Sequence, residues 1–501
     1  MRGVSRREGA GVSRRDFLRL AALAAGSAFL SACGPLAERL TNRPSALGSV
    51  SPVDPKIFAV LNRLTYGPRP EELAHAAEIG IAGWIEEQLS PTDLDDTTAD
   101  LQLTRLSLWS LDANALRDVS DRLFDDVDLD LVPAELRRAT LLRQVFSRRQ
   151  LYERVVEFWS DHFNISVEKQ DCHVLKLIDE RDVIRPHALG RFRDLLGASA
   201  HSSAMLVYLD NHVSDAAHPN ENYAREVMEL HTLGVDGGYT QQDVAELARC
   251  LTGWSVVTEG RYWGRFQYKP EHHDNGDKFW LGEPIAPAGE SEVEHALDRL
   301  GAHPATARYL VRKLAQRFLG CTHAELEARA ATAFLSSDGQ IEAPLRVLLL
   351  DGLASGVGAP RFKRPVDFLV STLRQLNAMV GAGDGLWGAL RRLGQLPFAW
   401  PTPDGYPDRD EAWSANLMPR WAFAWALGDQ TLDAVAVNWD DICGSELDPG
   451  QGLDRLAVLL FGAPLPDSDR NALLAELPGT GLEARRALAA ALVASPRFQW
   501  R

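Results

Sequence analysis

The chain has 501 residues, of which 45% are hydrophobic and 24% charged, so it can bury a large core and is neither disordered, collagen-like nor a multispanning membrane protein. The formal charge is −16, and residues 1–32 carry six Arg against Glu8 and Asp16, which leaves about −20 from Cys33 onward. Such a chain is ill suited to duplex DNA or RNA, whose binders must offset a dense row of phosphates.

In chain order, Ser13-Arg14-Arg15-Asp16-Phe17-Leu18-Arg19 precedes an apolar run from Leu20 to Leu30. The run is far shorter than the roughly 20 residues of a spanning helix and reads as the core of a signal peptide. The paired arginines followed by Asp-Phe-Leu resemble a twin-arginine export signal. Leu30-Ser31-Ala32-Cys33 then resembles a lipobox, with Cys33 as the lipidated first residue of the mature protein; the alternative is an incidental Cys beside a signal-peptidase site at Ser31-Ala32. Residues 34–55 are rich in Pro and Ser without a sustained period. They predict a tether, so that residues 1–32 are the signal, 33–55 the tether and 56–501 one large body held near a membrane surface by a lipid anchor.

The body shows the 3.6-residue apolar period of amphipathic helices almost throughout, which predicts a mainly α fold. Long helices are expected over about 133–165, 172–200, 220–233, 240–253, 304–319, 324–336, 365–380, 411–428 and 482–495. Thr240 to Asp243 is a capping-box variant, and Pro304 and Pro365 suit the first turn of a helix. Between 254 and 282 aromatic and β-branched residues with Gly breaks predict a small β-ribbon or ordered loop. Pro and Gly cluster again at 394–410, an ordered loop or subdomain boundary. Asp125, Asp126, Asp128 and Asp130 suit a solvated loop better than a calcium site. Cys172, Cys250, Cys321 and Cys443 stand singly, which excludes zinc-finger and thioredoxin-like patterns and predicts core thiols.

Nine of the thirteen His fall within residues 162–273, which directs the search for ligands and acid–base groups there. Asn220 is a good N-cap for the helix that follows. At 100° per residue Tyr223, Val227 and Leu230 form its buried stripe, with Asn222, Glu226 and Glu229 in a strip along the edge and Glu226 the most buried of the three. This presents two carboxylates and an amide to a cleft, or is a charged face paired through Arg225. His162, in Trp159-Ser160-Asp161-His162-Phe163-Asn164, closes a long helix with polar groups among aromatics. His272-His273-Asp274-Asn275-Gly276-Asp277-Lys278 is a turn carrying imidazole, carboxylate and amine, with a plain surface turn as the alternative. No nucleophile elbow, phosphate-binding loop or dinucleotide fingerprint is present, which disfavours the familiar hydrolase, kinase and dehydrogenase classes.

The blocks FWSDHFN at 158–164, LVYLDN at 206–211, NENYAREVMELHTLGVDGGYTQQDVAELARCLTGW at 220–254, HDNGDKFWLG at 273–282 and HPATARYLVRKLAQRF at 303–318 resemble a bacterial family of exported proteins, the domain of unknown function number 1800. The resemblance runs from Leu61 to Gln499, with Tyr406 in place of a usual Trp and Pro419 unusual within a helical pattern. It implies twin-arginine export and a neighbouring exported protein of sulfatase-like fold as a possible partner, and supplies no reaction.

Together these readings predict an exported envelope protein with a polar centre of His162, Asn222, Glu226, Glu229, His273 and Asp274, acting as a metal-assisted hydrolase or lyase on an envelope or extracellular polymer. In that scheme His162, Glu226 and His273 hold a divalent metal ion that lowers the pKa of water, and Glu229 or Asp274 moves the proton. A non-catalytic envelope scaffold, with the aromatic ribbon as contact surface, is the second reading; glycosidase chemistry by Glu226 with Asp274 is the third.

Overall fold

Helices dominate because the apolar residues recur at helical spacing and strong caps start many of the segments. A computed structural model describes residues 47, 50–122, 130–444, 448–477, 479 and 481–501. The export motif, Cys33, most of the tether, and Asp125, Asp126 and Asp128 lie outside the described residues. Seven helices carry the argument: α1 (Pro55–Leu64), α2 (Leu131–Phe146), α3 (Gln150–His162), α4 (Glu221–Glu226), α5 (Pro304–Phe318), α6 (Pro365–Gln375) and α7 (Met418–Gly428). Residues 46–501 form one compact unit. Among the described residues no helix is long and apolar enough to cross a membrane.

Local chemistry behaves as expected at several helix starts. Thr240 and Asp243 form a reciprocal capping box, Asn220 Oδ1 accepts from the Asn222 N–H at 2.8 Å, and Pro304 and Pro365 occupy first turns. Pro419 likewise opens α7, separated from a short helix at Glu411–Ser414, so the expected helix over 411–428 is two pieces. The helix expected over 133–165 is also divided. Asp96 accepts from Ser147 Oγ (2.8 Å) and the Arg148 N–H (2.7 Å), and Gln150 Nε2 donates to the Ser147 and Gln144 carbonyls, so side chains satisfy backbone groups that a continuous helix would pair.

The strands are short and antiparallel. β1 (Trp254–Val256) pairs with β2 (Phe266–Tyr268), β3 (Lys278–Trp280) with β4 (Glu283–Ile285), and β5 (Met379–Val380) with β6 (Val435–Ala436). Residues 254–285 thus form two hairpins, so the expected ribbon runs three residues past 282; Trp254, Trp263 and Trp280 are buried in it and Tyr262 and Phe279 exposed.

Two apolar cores share the unit. The larger draws on residues from Val60 to Leu349, including the Leu151, Val155 and Phe158 face of α3; the smaller draws on Tyr66, α2 and residues 366–498. α6 lies wholly inside, with all 11 of its residues buried, among them Asp367 and Arg374. Cys172, Cys250 and Cys443 are buried free thiols, as expected of core cysteines; burial raises the Cys250 and Cys443 thiols to about 12 and suppresses thiolate reactivity.

Candidate functional site

Where α3 faces α6, apolar contact gives way to ions. Arg154 pairs with Asp367 across the two cores, and Glu157 lies 3.6 Å from each of Arg154, Arg317 and Arg364 while accepting from the Tyr66 hydroxyl at 2.8 Å. Asp161 Oδ2 accepts from Arg317 (2.7 Å) and Arg364 (2.8 Å), and Asp408 accepts from Arg317 Nε at 2.9 Å. Arg154, Arg317, Arg364 and, at Asp367, Arg501 (3.0 Å) therefore meet four carboxylates, contributed by α3, α5, the turn before α6, α6 itself, the Pro-rich loop and residue 501. Burial alone would raise the Asp367 and Asp408 carboxyls; the guanidiniums of Arg154 and Arg364 at Asp367, and of Arg317 and Arg364 at Asp408, override it and hold both below the ordinary value. Glu157 goes the other way, because burial outweighs its arginines and the Asp367 charge adds to it.

The linkage sign follows from these directions. Groups with depressed folded pKa contribute stability that is present above the unfolded value of about 3.9 and is lost as the pH falls through the folded value. The urea midpoint is expected to fall steeply below about pH 4, and Asp367→Asn is expected to flatten that fall while lowering the midpoint at neutral pH; an unchanged acid slope would contradict the assignment.

The Pro-rich loop 394–410 closes over the C-terminal end of α3. Asn164 Nδ2 donates to the Trp400 (3.1 Å) and Thr402 (2.8 Å) carbonyls, the Tyr208 hydroxyl donates to the Pro401 carbonyl at 2.9 Å, and the Val167 N–H donates to the Phe398 carbonyl at 2.8 Å. Gly405, at φ +73°, sits so close that an added Cβ would lie 2.1 Å from the Asp161 carbonyl oxygen. A cavity of about 40 Å³ remains between loop and helix, lined by Glu157, Asp161, Asn164, Arg364 and Tyr406 among others, with room for about one water.

One residue beyond Asp161, His162 is 2% exposed and both its ring nitrogens are engaged. Nε2 is 3.0 Å from the His231 carbonyl, to which it donates, so Nδ1 is the acceptor for Lys313 Nζ at 2.9 Å. Burial, reinforced by Lys313 and His231, drives the His162 imidazole well below its ordinary value, which keeps it neutral and in that tautomer. Burial likewise lowers Lys313 to about 8, although Asp408 and Asp161 pull upward. Lys313 and Arg317 are one turn apart on α5, and Asp161 and His162 are adjacent on α3. The Asp161–Arg317 ion pair and the His162–Lys313 hydrogen bond are thus two rungs between the same helices.

The amine lies beside Tyr309, and the charge of the exposed Asp404 reaches both it and Glu226. Tyr309, one turn before Lys313, has its ring centroid 5.4 Å from Nζ and packs on Gly234, where a Cβ would come within 2.7 Å of the ring. Glu226 and Glu229 follow from α4, whose C-terminal end continues as a π-helical turn over Val227–Thr232. That extra residue rotates the face: Met228 and Thr232 become buried and Leu230 only partly so, unlike the ideal helical projection, while His231 is buried as that projection has it. Burial, then Glu229 and Asp404, raise the Glu226 carboxyl against Arg225. Glu229 accepts from the Tyr239 hydroxyl at 3.4 Å, and Asp404 accepts from Trp400 Nε1 at 3.1 Å.

The remaining expected residues stand elsewhere. Asn222 is exposed, and its Nδ2 donates to the Leu209 carbonyl at 3.4 Å. His273 Nδ1 donates to the Thr252 carbonyl at 2.9 Å while Nε2 faces Glu292 at 3.3 Å; Lys278 completes that buried knot by pairing with Glu292 at 2.7 Å. Arg249 grips Asp274 with two N–H donors (2.7 and 3.2 Å) and, as the main cause, lowers it to about 2, so Asp274 is no proton carrier near neutrality. All polar partners of His273 and Asp274 come from residues 246–292 and those of His162 from His231 and Lys313, so the expected ligand set of His162, Glu226 and His273 does not assemble. Among the described residues no group of three or more His, Cys, Asp and Glu is arranged to hold a metal ion. Asp274, the partner considered for Glu226 in a carboxylate pair, is tied into the hairpin turn by Arg249.

Lys313, Tyr309, Asp404 and the Arg364 network are what the sequence reading missed. Lys313 and Arg317 flank the apolar stripe Leu310, Leu314 and Phe318, and only seven lysines occur in the chain, so a lysine beside a buried face was the available signal.

Fold and site define a mainly α protein with two apolar cores joined by a buried ion network and a lysine–histidine pair at its edge. The family model described as a protein of unknown function (DUF1800) matches residues 59–500, and the chain belongs to that family. No curated protein and no solved structure matches it.

Proposed function

We propose that this protein is an exported, lipid-anchored envelope protein in which Lys313 acts as a base in a hydrolysis or elimination on an envelope or extracellular polymer. The observation that carries the reading is the 2.9 Å contact from Lys313 Nζ to a neutral His162 whose tautomer is fixed by the His231 carbonyl. An amine lowered to about 8 is partly unprotonated at neutral pH and can take a proton from water or from carbon. Glu226, with its carboxyl raised, is the group suited to return a proton to the leaving oxygen. His162 is a positioning residue, and the Asp161–Arg317 pair keeps α3 and α5 in register. The carboxylates Glu226, Glu229 and Asp404 favour a neutral or cationic group at the reacting centre. The twin-arginine and lipobox motifs support the location.

The test is release of soluble fragments from a panel of envelope and extracellular polymers by the mature protein, beside Lys313→Met, Glu226→Gln and an Asn222→Ala control. Loss in the first two with retention in the third supports the site. Activity unchanged in Lys313→Met would sink it.

One observation favours the scaffold reading. α7 exposes Met418 (69%), Trp421 (42%) and Trp425 (47%) at helical spacing, an apolar stripe suited to a protein contact. In that case the exported sulfatase-like protein is the partner, and Trp425→Asp abolishes its co-purification.

A further inference from the structure

A second concavity, remote in residue content from the Lys313 cluster, is formed by α1, the segment 353–363, residues 460–463 and the chain from Arg497 to Arg501. It is an open cleft of about 530 Å³, within the range of small-molecule sites. The chain holds 69 acidic against 53 basic residues, yet Lys56, Arg63, Lys363, Arg497 and Arg501 line this cleft and no described Asp or Glu does.

Three of those cations, Lys56, Lys363 and Arg497, lack a carboxylate partner among the described residues. Lys56 and Arg497 are exposed and make no ion pair among the described residues; Arg497 stacks 4.6 Å from the centroid of Phe461. Arg63, 6% exposed, donates to the carbonyls of Phe318 (3.2 Å) and Ala359 (2.6 Å) and to the terminal main-chain oxygen of Arg501 (2.9 Å), while its Nε is buried without a hydrogen-bond partner among the described residues. Lys363, 2% exposed, places Nζ 3.5 Å from the Phe498 ring centroid and donates to Ser371 Oγ at 3.0 Å. The Arg501 guanidinium pairs with Asp367 at 3.0 Å. A buried cation without a paired counter-charge is costly, and burial lowers Lys363 to about 7. An anion in the cleft would relieve that cost, and Phe58, Val357, Phe461 and Trp500 give the wall an apolar stretch beside Asn62.

We infer that this cleft binds an anionic amphiphile, a single apolar chain carrying a carboxylate or phosphate head. The cations recognise the head and the aromatic wall takes the chain. The inference is independent of the Lys313 reading, since the two sites share no residue.

Calorimetric titration of the mature protein with dodecanoate and with dodecyl phosphate, both below their micelle concentrations, tests it. Inorganic phosphate and dodecyl maltoside supply the head and the chain alone. Saturable binding of either anionic amphiphile is expected, weakened about tenfold or more in Lys56→Ala/Arg497→Ala and unchanged in Lys313→Met. Both truncations are at exposed positions and spare the fold. Whichever of the two binds more tightly names the head group. Equal binding of dodecyl maltoside, equal binding of inorganic phosphate, or an unaffected double variant would each overturn the proposal.

Discussion

Arg364→Met is expected to lower the stability of the folded unit by about 3–5 kcal/mol. The Arg364 side chain is 2% exposed and lies 2.8 Å from Asp161, 3.5 Å from Asp408 and 3.6 Å from Glu157. Replacing it with a neutral side chain of similar length keeps the volume and leaves three largely enclosed carboxylates, 11–22% exposed, to share Arg317 and Arg154. Removing one partner of a buried pair costs more than the pair itself contributes, because the remaining charge stays out of water. Urea denaturation should show a lower midpoint at an unchanged slope. Asp161→Asn added to Arg364→Met should cost less than the sum of the single changes, since the two side chains touch. A loss under about 1 kcal/mol, with additive singles, would place the network at the level of surface ion pairs.

Gly405→Ala should be of similar size, about 3 kcal/mol or more. Two costs add. At φ +73° an L side chain is strained, and the new Cβ would stand 2.1 Å from the Asp161 carbonyl oxygen, a backbone atom that cannot swing aside. Gly394→Ala separates them, because Gly394 has φ +89° and nothing within 4 Å of its Cβ position. It should cost only the conformational part, about 1 kcal/mol. Equal losses at the two positions would mean that the loop does not press on α3 as described.

How far the fold is legible depends on how local its causes are. The α4 cap at Asn220, the Thr240 box and the first-turn prolines are decided within a few residues, and the helices they start were readable from the sequence. The break at Ser147 was not, because Asp96, 51 residues earlier, makes it. The two helices that were expected as one are held apart by a side chain from another part of the chain. The site divides the same way. Half-burial of Glu226 was readable from the helical projection, whereas the π turn after it was not. His162 and His273 looked like partners because both sit in polar blocks rich in ligand-type residues. Their fates differ because Lys313 claims one ring, and Thr252 with Glu292 the other. Sequence distance gives no hint of either contact. The family-defining blocks do converge, but on ion pairs and the lysine–histidine bond. Asp161 comes from one block and Lys313 and Arg317 from another, and they meet Arg364 and Asp408 from segments that carried no site expectation.

The central claim is that Lys313 is a near-neutral amine held by His162. With seven lysines in the chain, the ¹³Cε resonances of a selectively labelled sample can be followed one by one against pH, with Lys313→Arg and Lys363→Met assigning the two amines that burial lowers. Lys313 is predicted to titrate near 8, well below the ordinary lysine value of about 10.4, and to move when Asp161→Asn loosens the neighbouring rung. A Lys313 resonance that titrates with the exposed lysines, indifferent to Asp161, would contradict the account.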